Sequence, residues 1–218
     1  KKVDLICAVA TPAAQVVANA TQDIPIVATA VTDYEAAKLI KSNAKPETNV
    51  TGTTDMNLVE AQLDSIIKLV PTVKTVGVIY NSSEINSQVQ VDLLKGFAKD
   101  RKVEIKEATV NNVNDIQQAA RSLIGNVEAI YVPTDNVLAS AMPALAMVTE
   151  EAKLPVVSGW DDANCIATIA IDYYKLGIQT GEMAADILSG KAKPQDMPIQ
   201  TQNEFTVIVN EANAKKIG

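Results

Sequence analysis

Short runs of Val, Ile and Ala alternate along the whole chain with longer amphipathic stretches, and this alternation limits the fold more than any other feature. The apolar runs are Val3 to Val9, Ile24 to Val31, Thr75 to Tyr80, Val103 to Ala108, Ala129 to Val132, Pro155 to Ser158 and Ala167 to Ile171. They are brief, β-branched and apolar at successive positions, as strands covered on both faces of a parallel sheet are. The spacing between them predicts helices over Pro12 to Ala20, Tyr34 to Lys41, Leu58 to Val70, Glu84 to Asp100, Val113 to Ile124, Val137 to Ala152 and Tyr173 to Ser189. In the third of these, Leu58, Leu63, Ile66, Ile67 and Val70 recur at helical spacing while Glu60, Asp64 and Lys68 face away. Strands and helices alternating with short joints mean an α/β chain with right-handed crossovers.

The joints carry boundary signals. Pro12 suits the first turn of its helix, where its missing N–H costs nothing. Asn57 and Asn112 read as N-caps, and Gly125 and Gly190 as helix stops. Pro143 predicts that the helix over Val137 to Ala152 starts late or bends. Gly177 and Gly181, one turn apart, read as close packing of their helix against a sheet; they belong to no dinucleotide fingerprint. The rhythm breaks at Lys45 to Met56, a polar stretch with one short strand, and again from Gly190 to the strand Phe205 to Val209. These breaks predict two lobes: residues 1–53 with 173–200, and residues 54–172 with 201–218. A cleft and a hinge would separate them.

Composition excludes several chemistries. The 218 residues carry a formal net charge of -7, with no basic cluster, so a nucleic-acid partner is not expected. With no histidine, the commonest general base and metal ligand is lacking. Cys7 and Cys165 are too few for a zinc cluster; each sits in an apolar run and reads as a buried thiol, and a disulfide between them is open. No apolar stretch approaches the ~20 residues of a membrane span. Lys1-Lys2 followed by Val3-Asp4-Leu5 shows no export signal, so the chain is expected to be cytosolic by origin or to have lost one. No cofactor is expected.

Ligands of open parallel sheets bind outside the carboxyl ends of the strands. Those ends read Ala10-Thr11-Pro12-Ala13-Ala14, Val31-Thr32-Asp33, Asn81 to Ser87, Pro133-Thr134-Asp135-Asn136 and Gly159-Trp160-Asp161-Asp162. Five ends in succession carry short hydroxyl, amide or carboxylate groups. Each taken singly also reads as an ordinary cap or turn. Asp161-Asp162 lacks a second acidic group at the spacing a glycosidase pair needs.

Taken in order, VATPAAQ, PIVATAVTD, NVTG, KTVGVIYNSSEINS, AIYVPTDN and ATIAIDYYKLGIQTGEMAADILSGK resemble the solute-binding components of ABC importers, in the branch with tryptophan and tyrosine binders. The resemblance covers nearly the whole chain; the last segment is also similar to ribose-type sugar binders. It implies a two-lobed type I periplasmic-binding-protein fold, each lobe a parallel sheet flanked by helices. Family members begin with two further βα units, so at about 30 residues per unit roughly 60 residues would be missing before Val3. The first lobe is then expected to be incomplete, with an exposed strand edge that a missing segment or a second chain would cover. GWDDANC is also shorter than the family's loop there.

Residue by residue, the resemblance implies that Thr11 and the N–H groups of Ala13 and Ala14 bind a ligand carboxylate at a helix start. Thr32 and Asp33 would add contacts from the same lobe. Glu84, Asn86, Asp135 and Asn136 would close from the other lobe, Asp161 would take an α-ammonium, and Trp160 would stack on the side chain or belong to the core. Asp172 reads as a crossover, hinge or ligand residue. The implied function is an extracytoplasmic binder that delivers an amino acid, aromatic by resemblance, to a membrane permease. No positioned nucleophile or tuned acid/base points to catalysis. A ligand-sensing regulatory module of the same fold and a doubly wound small-molecule enzyme are the alternatives.

Overall fold

The computed structural model describes residues 2–218; Lys1, where the first expected lobe and the Lys1-Lys2 start begin, lies outside them. The chain divides into two compact units. One is the segment ending at Met56 together with Ile171–Phe205; the other is Asn57–Ala170 with Thr206–Gly218. The chain thus passes between units after Met56, Ala170 and Phe205, against 53, 172 and 200 expected from the sequence.

In the first unit, β1 (Ile6–Val9), β2 (Ile26–Thr29) and β3 (Val50–Gly52) form a parallel sheet in that order. Helix α1 (Thr11–Ala20) packs on β1 and β2, and α7 (Tyr173–Leu188) packs on β2. Ile26, Val27 and Ala28 of the central strand are buried, and so is Val50 of β3. β1 is an edge strand, and only Ala8 in it is buried. Cys7 is therefore exposed, contrary to the expectation of a core thiol, while Cys165 in the other unit is buried; both are free thiols, so no disulfide joins them.

The second unit holds α2 (Val59–Leu69), β4 (Thr75–Asn81), α3 (Ile85–Asp100), β5 (Glu104–Val110), α4 (Ile116–Leu123), β6 (Ala129–Val132), α5 (Asn136–Ala139), α6 (Met142–Glu151), β7 (Val156–Ser158), β8 (Ala167–Ala170), β9 (Thr206–Val209) and α8 (Glu211–Ile217). Its sheet runs β5-β4-β6-β7-β8-β9, parallel except for β9 against β8. Strand alternation sorts the core into two faces. Ile79, Ile130 and Val132 meet α4 and α6 through Ala120, Leu123, Leu145 and Val148. Val78, Tyr80 and Tyr131 meet α2 and α3 through Leu63, Ile66, Val91 and Leu94.

Three local expectations are corrected and one is met. Tyr34 to Lys41 is no helix: Asp33 Oδ1 accepts the N–H groups of Glu35 and Ala36, and the single turn ends at Lys38 with φ +58°. That reversal is closed by Leu39 N–H donating to Tyr34 O at 3.0 Å. Asn57 does not cap α2, whose N-cap position is Leu58 without a side-chain bond. The expectation for Val137 to Ala152 is met: after the single turn α5, the main helix α6 starts late, at Met142, with Pro143 in its first turn. Gly177 and Gly181 are not pressed against the sheet: a methyl added to either meets nothing within 4 Å.

Gly52 is the glycine the backbone requires. Its φ is +151°, and a Cβ there would lie 1.8 Å from Ala28 O and 2.5 Å from the Tyr34 hydroxyl. Gly52→Ala is expected to destabilise by about 3 kcal/mol or more. Gly181→Ala should stabilise by about 0.5–1 kcal/mol, because alanine suits an open helical position better than glycine. Urea unfolding of both variants checks this pair.

Candidate functional site

The best-ordered polar cluster sits at the carboxyl ends of β4 and β6 in the second unit. Asp135, directly before α5, is 2% exposed. Its Oδ2 accepts the Asn81 N–H and the Ser87 hydroxyl, both at 2.6 Å, and its Oδ1 accepts the Leu138 N–H at 2.9 Å. Burial raises its carboxyl above the ordinary value, the three donors pull it back, and the Glu84 charge adds to the rise.

Glu84 and Asn136 join the same cluster. Glu84 Oε2 accepts from Asn136 N at 3.1 Å, Asn136 Nδ2 at 2.6 Å and Asn86 Nδ2 at 3.0 Å. Asn86 Nδ2 also donates to Thr134 O at 2.9 Å, and Gln90 Oε1 accepts the Thr134 N–H at 3.1 Å. The four residues expected from this lobe, Glu84, Asn86, Asp135 and Asn136, are thus one connected group. Asn86 Oδ1 is buried with no hydrogen-bond partner. Gly159 reaches the same rim: a Cβ there would meet Thr134 N at 2.7 Å, and its carbonyl accepts Asn57 Nδ2 at 2.6 Å.

Asp161 and Trp160 lie elsewhere. Trp160 is half-buried and packs on the α4–α6 face of the core. Asp161 is exposed and lines a depression of about 380 Å³ with Asp162, Cys165, Val209, Asn210 and Glu211. That depression faces the start of β8 and the end of β9, because the loop after β7 runs back to begin a parallel neighbour. Burial pushes the Cys165 thiol up to about 12, so it stays protonated at neutral pH.

In the first unit, Thr11 opens α1 after Ala10, whose φ of +73° turns the chain sharply out of β1. Thr11 is 2% exposed, and its hydroxyl has no partner. The Ala14 N–H donates to Ala10 O at 3.1 Å, the first intrahelical bond, and so is not a free donor as expected. Ala13 is exposed. Thr32 and Asp33 line a depression of about 260 Å³ with Tyr34, Thr54, Met56 and Ile199. The Thr32 hydroxyl donates to Asp55 Oδ1 at 3.0 Å, and the Tyr173 hydroxyl donates to Asp55 Oδ2 at 3.0 Å. Asp172 caps α7, accepting the N–H groups of Tyr174 and Lys175.

Sequence reading missed Asp55, Asn57, Asn81, Ser87 and Gly159. Ser87 and Asn81 stood in a strand-end loop already singled out, whereas Asp55 and Asn57 lie in the polar Lys45 to Met56 break and just beyond it. Among the described residues no group of three or more His, Cys, Asp or Glu side chains could hold a metal ion. No helix among them is long and apolar enough to cross a membrane.

Burial dominates the Asp55 carboxyl and raises it above the ordinary 3.8, partly offset by the Thr32 and Tyr173 bonds. The folded chain then binds this proton more tightly than the unfolded chain. Its contribution to stability is complete below pH 3.8 and is lost as pH rises through the raised value. Relative to wild type, Asp55→Asn should therefore become progressively more stable between pH 3 and pH 7, measured by urea unfolding across that range.

Comparison with known proteins places this geometry. The family described as ABC transporter substrate binding protein matches residues 1–218. A tyrosine-binding protein of Clostridioides difficile (strain R20291) is 42% identical over 219 residues, covering 99% of this chain. The chain spans 63% of that relative's length. Among solved structures, an ABC domain in complex with L-Trp from Streptococcus pneumonia matches with TM-score 0.94 and 35% identity, over 100% of this chain and 76% of that one. A conserved domain protein from Vibrio cholerae matches with TM-score 0.95 and 34% identity, over 99% and 74%.

Proposed function

Since the chain belongs to the ABC transporter substrate-binding protein family, we propose that it binds an amino acid, aromatic by preference, for delivery to a membrane permease outside the cytoplasm. The observation that carries this reading is that each unit, taken by itself, holds a buried strand-end group with unused hydrogen-bonding capacity. In the second unit it is Asn86 Oδ1 within the Glu84–Asp135–Asn136 cluster; in the first it is the Thr11 hydroxyl at the start of α1. A buried polar atom left without a partner costs about 1–3 kcal/mol, which a ligand bearing matching donors and acceptors recovers.

A free amino acid has that make-up. Its carboxylate suits the Thr11 hydroxyl and the unpaired N–H groups of the first turn of α1, of which Ala13 supplies one and Pro12 none. Thr32 and Asp33 add polar contacts from the depression they line. Support for the ligand class comes from the relatives, one named for tyrosine and one solved with L-Trp. Binding is the output: the role asked of these side chains is to hold a small molecule for the permease.

Thermal unfolding with each of the twenty amino acids tests the reading. The ligand at 100 times its Kd should stabilise the protein by about 2.7 kcal/mol, and L-tyrosine or L-tryptophan should give the largest shift. No shift with any of the twenty would overturn it.

A further inference from the structure

The six-stranded sheet of the second unit ends in two edge strands of opposite character. β5 carries Glu104, Lys106 and Glu107. Charges along an open edge keep it from pairing with another chain. β9, at the far edge, reads Thr206-Val207-Ile208-Val209, with no charged residue, proline or glycine. Val207 is 68% exposed and Val209 54% exposed.

The register fixes which backbone groups of β9 are spare. In the antiparallel ladder Val209 pairs with Ala167 and Val207 with Ile169. The Asn210 N–H donates to Ile166 O at 2.8 Å, one step beyond the Val209–Ala167 pair. That bond makes Val209–Ala167 a non-hydrogen-bonded pair, and by alternation Val207–Ile169 is another. The N–H and C=O groups of Val207 and Val209 therefore point away from β8, to the side where the sheet has no further strand. They are spaced to exchange a donor and an acceptor at each valine with an added strand.

The surroundings select the charge of what can be added. Ile208 and Val209 line the depression of about 380 Å³ together with Asp161, Asp162 and Glu211. Among the described residues Asp161 and Asp162 form no salt bridge, and Glu211 has only Lys215, at 3.6 Å on the surface. All of these residues belong to the second unit. Apolar side chains beside a carboxylate rim suit an alkyl stem with a cationic head, the make-up of Lys and Arg. A second copy of this chain does not suit the edge, because β9 laid against β9 brings two acidic rims to one seam.

We propose that the open edge of β9 accepts, as one more strand, an extended segment of another protein in which β-branched and Lys or Arg side chains alternate. Main-chain bonds to Val207 and Val209 supply the affinity, and the Asp161–Asp162–Glu211 rim supplies the choice of charge. The depression lies at the start of β8, whereas the Glu84–Asp135 cluster sits at the carboxyl ends of β4 and β6, so the two sites are separate.

Fluorescence anisotropy with a labelled peptide, acetyl-Lys-Thr-Val-Lys-Val-Thr-Lys-amide, tests the surface. Its control has Glu in place of every Lys. At about 50 mM salt wild type should bind the lysine peptide about 10-fold or more tighter than the glutamate peptide, and the amide resonances of Val207 and Val209 should shift. Val207→Pro removes an N–H that the ladder with β8 does not use. It should keep the unfolding midpoint and lose about 10-fold or more in lysine-peptide affinity. Asp161→Asn combined with Asp162→Asn should lose about 3- to 10-fold for the lysine peptide and nothing for the glutamate peptide. Equal binding of the two peptides overturns the charge selection, and full affinity in Val207→Pro overturns the edge. No binding of the lysine peptide at about 1 mM overturns both. Wild-type dimers in sedimentation that Val207→Pro dissociates would give the edge to a second copy and overturn the proposal. Should Val207→Pro fold poorly, a lysine peptide N-methylated at alternate amides replaces it: binding to wild type with full affinity overturns the edge, since that peptide cannot complete a ladder.

Discussion

A single carboxylate organises the polar end of the six-stranded sheet. Asp135 follows β6, yet it accepts hydrogen bonds from the end of β4, the first turn of α3 and the interior of α5. Hydrogen bonds to an ionised acceptor are roughly twice as strong as neutral ones, and here they are removed from water. The loops that carry Glu84, Asn86 and Asn136 are therefore held relative to one another by a group that is itself fully occupied. Side chains held in this way would lower the ordering cost of the ligand binding proposed above.

Each unit has solved the problem of its strand ends differently. The second uses charge: two buried carboxylates, Asp135 with both oxygens bonded and Glu84 bonded through Oε2 by amide and backbone donors. The first uses a hydroxyl at a helix start and the Thr32–Asp55–Tyr173 chain of bonds. Asp55 and Tyr173 lie in sequence beside two of the three places where the chain leaves or enters the first unit. This bond therefore ties together segments 118 residues apart. Tyr34, fully buried beneath them, places its hydroxyl 2.8 Å from Ala28 O and 3.0 Å from Thr53 O, in the space that only Gly52 leaves open. The packing of a single glycine thus supports the floor on which the polar groups stand.

Most strands were legible because β-branched runs have few other uses. Ala129 to Val132 coincides with β6 to the residue, and β4 extends the expected run by one. Errors gathered where local chemistry competes with periodicity. Tyr34 to Lys41 has helical spacing, but Asp33 caps it as a lone turn and Lys38 reverses it. Cys7 sits in an apolar run and is still exposed, because burial depends on which strand lies beside it and not on the run itself. Gly177 and Gly181 have the spacing of a packing stripe and face outward. For the site, the strand-end loops were visible as clusters of short polar side chains. Their wiring was not: nothing in the spacing tells that Asp135 reaches Asn81 and Ser87, or that Asn57 turns from its helix to Gly159.

The amino-acid sequence alone determined the α/β class, the order of most elements and the strand-end loops rich in short polar side chains, because hydrophobic period and capping chemistry are local properties. Tertiary structure decided which carboxylate is saturated, which keeps a free oxygen, and which, like Asp161, stands apart in another depression. That division has a physical cause: a side chain's remaining hydrogen-bonding capacity depends on donors brought from distant segments, and only the folded chain brings them.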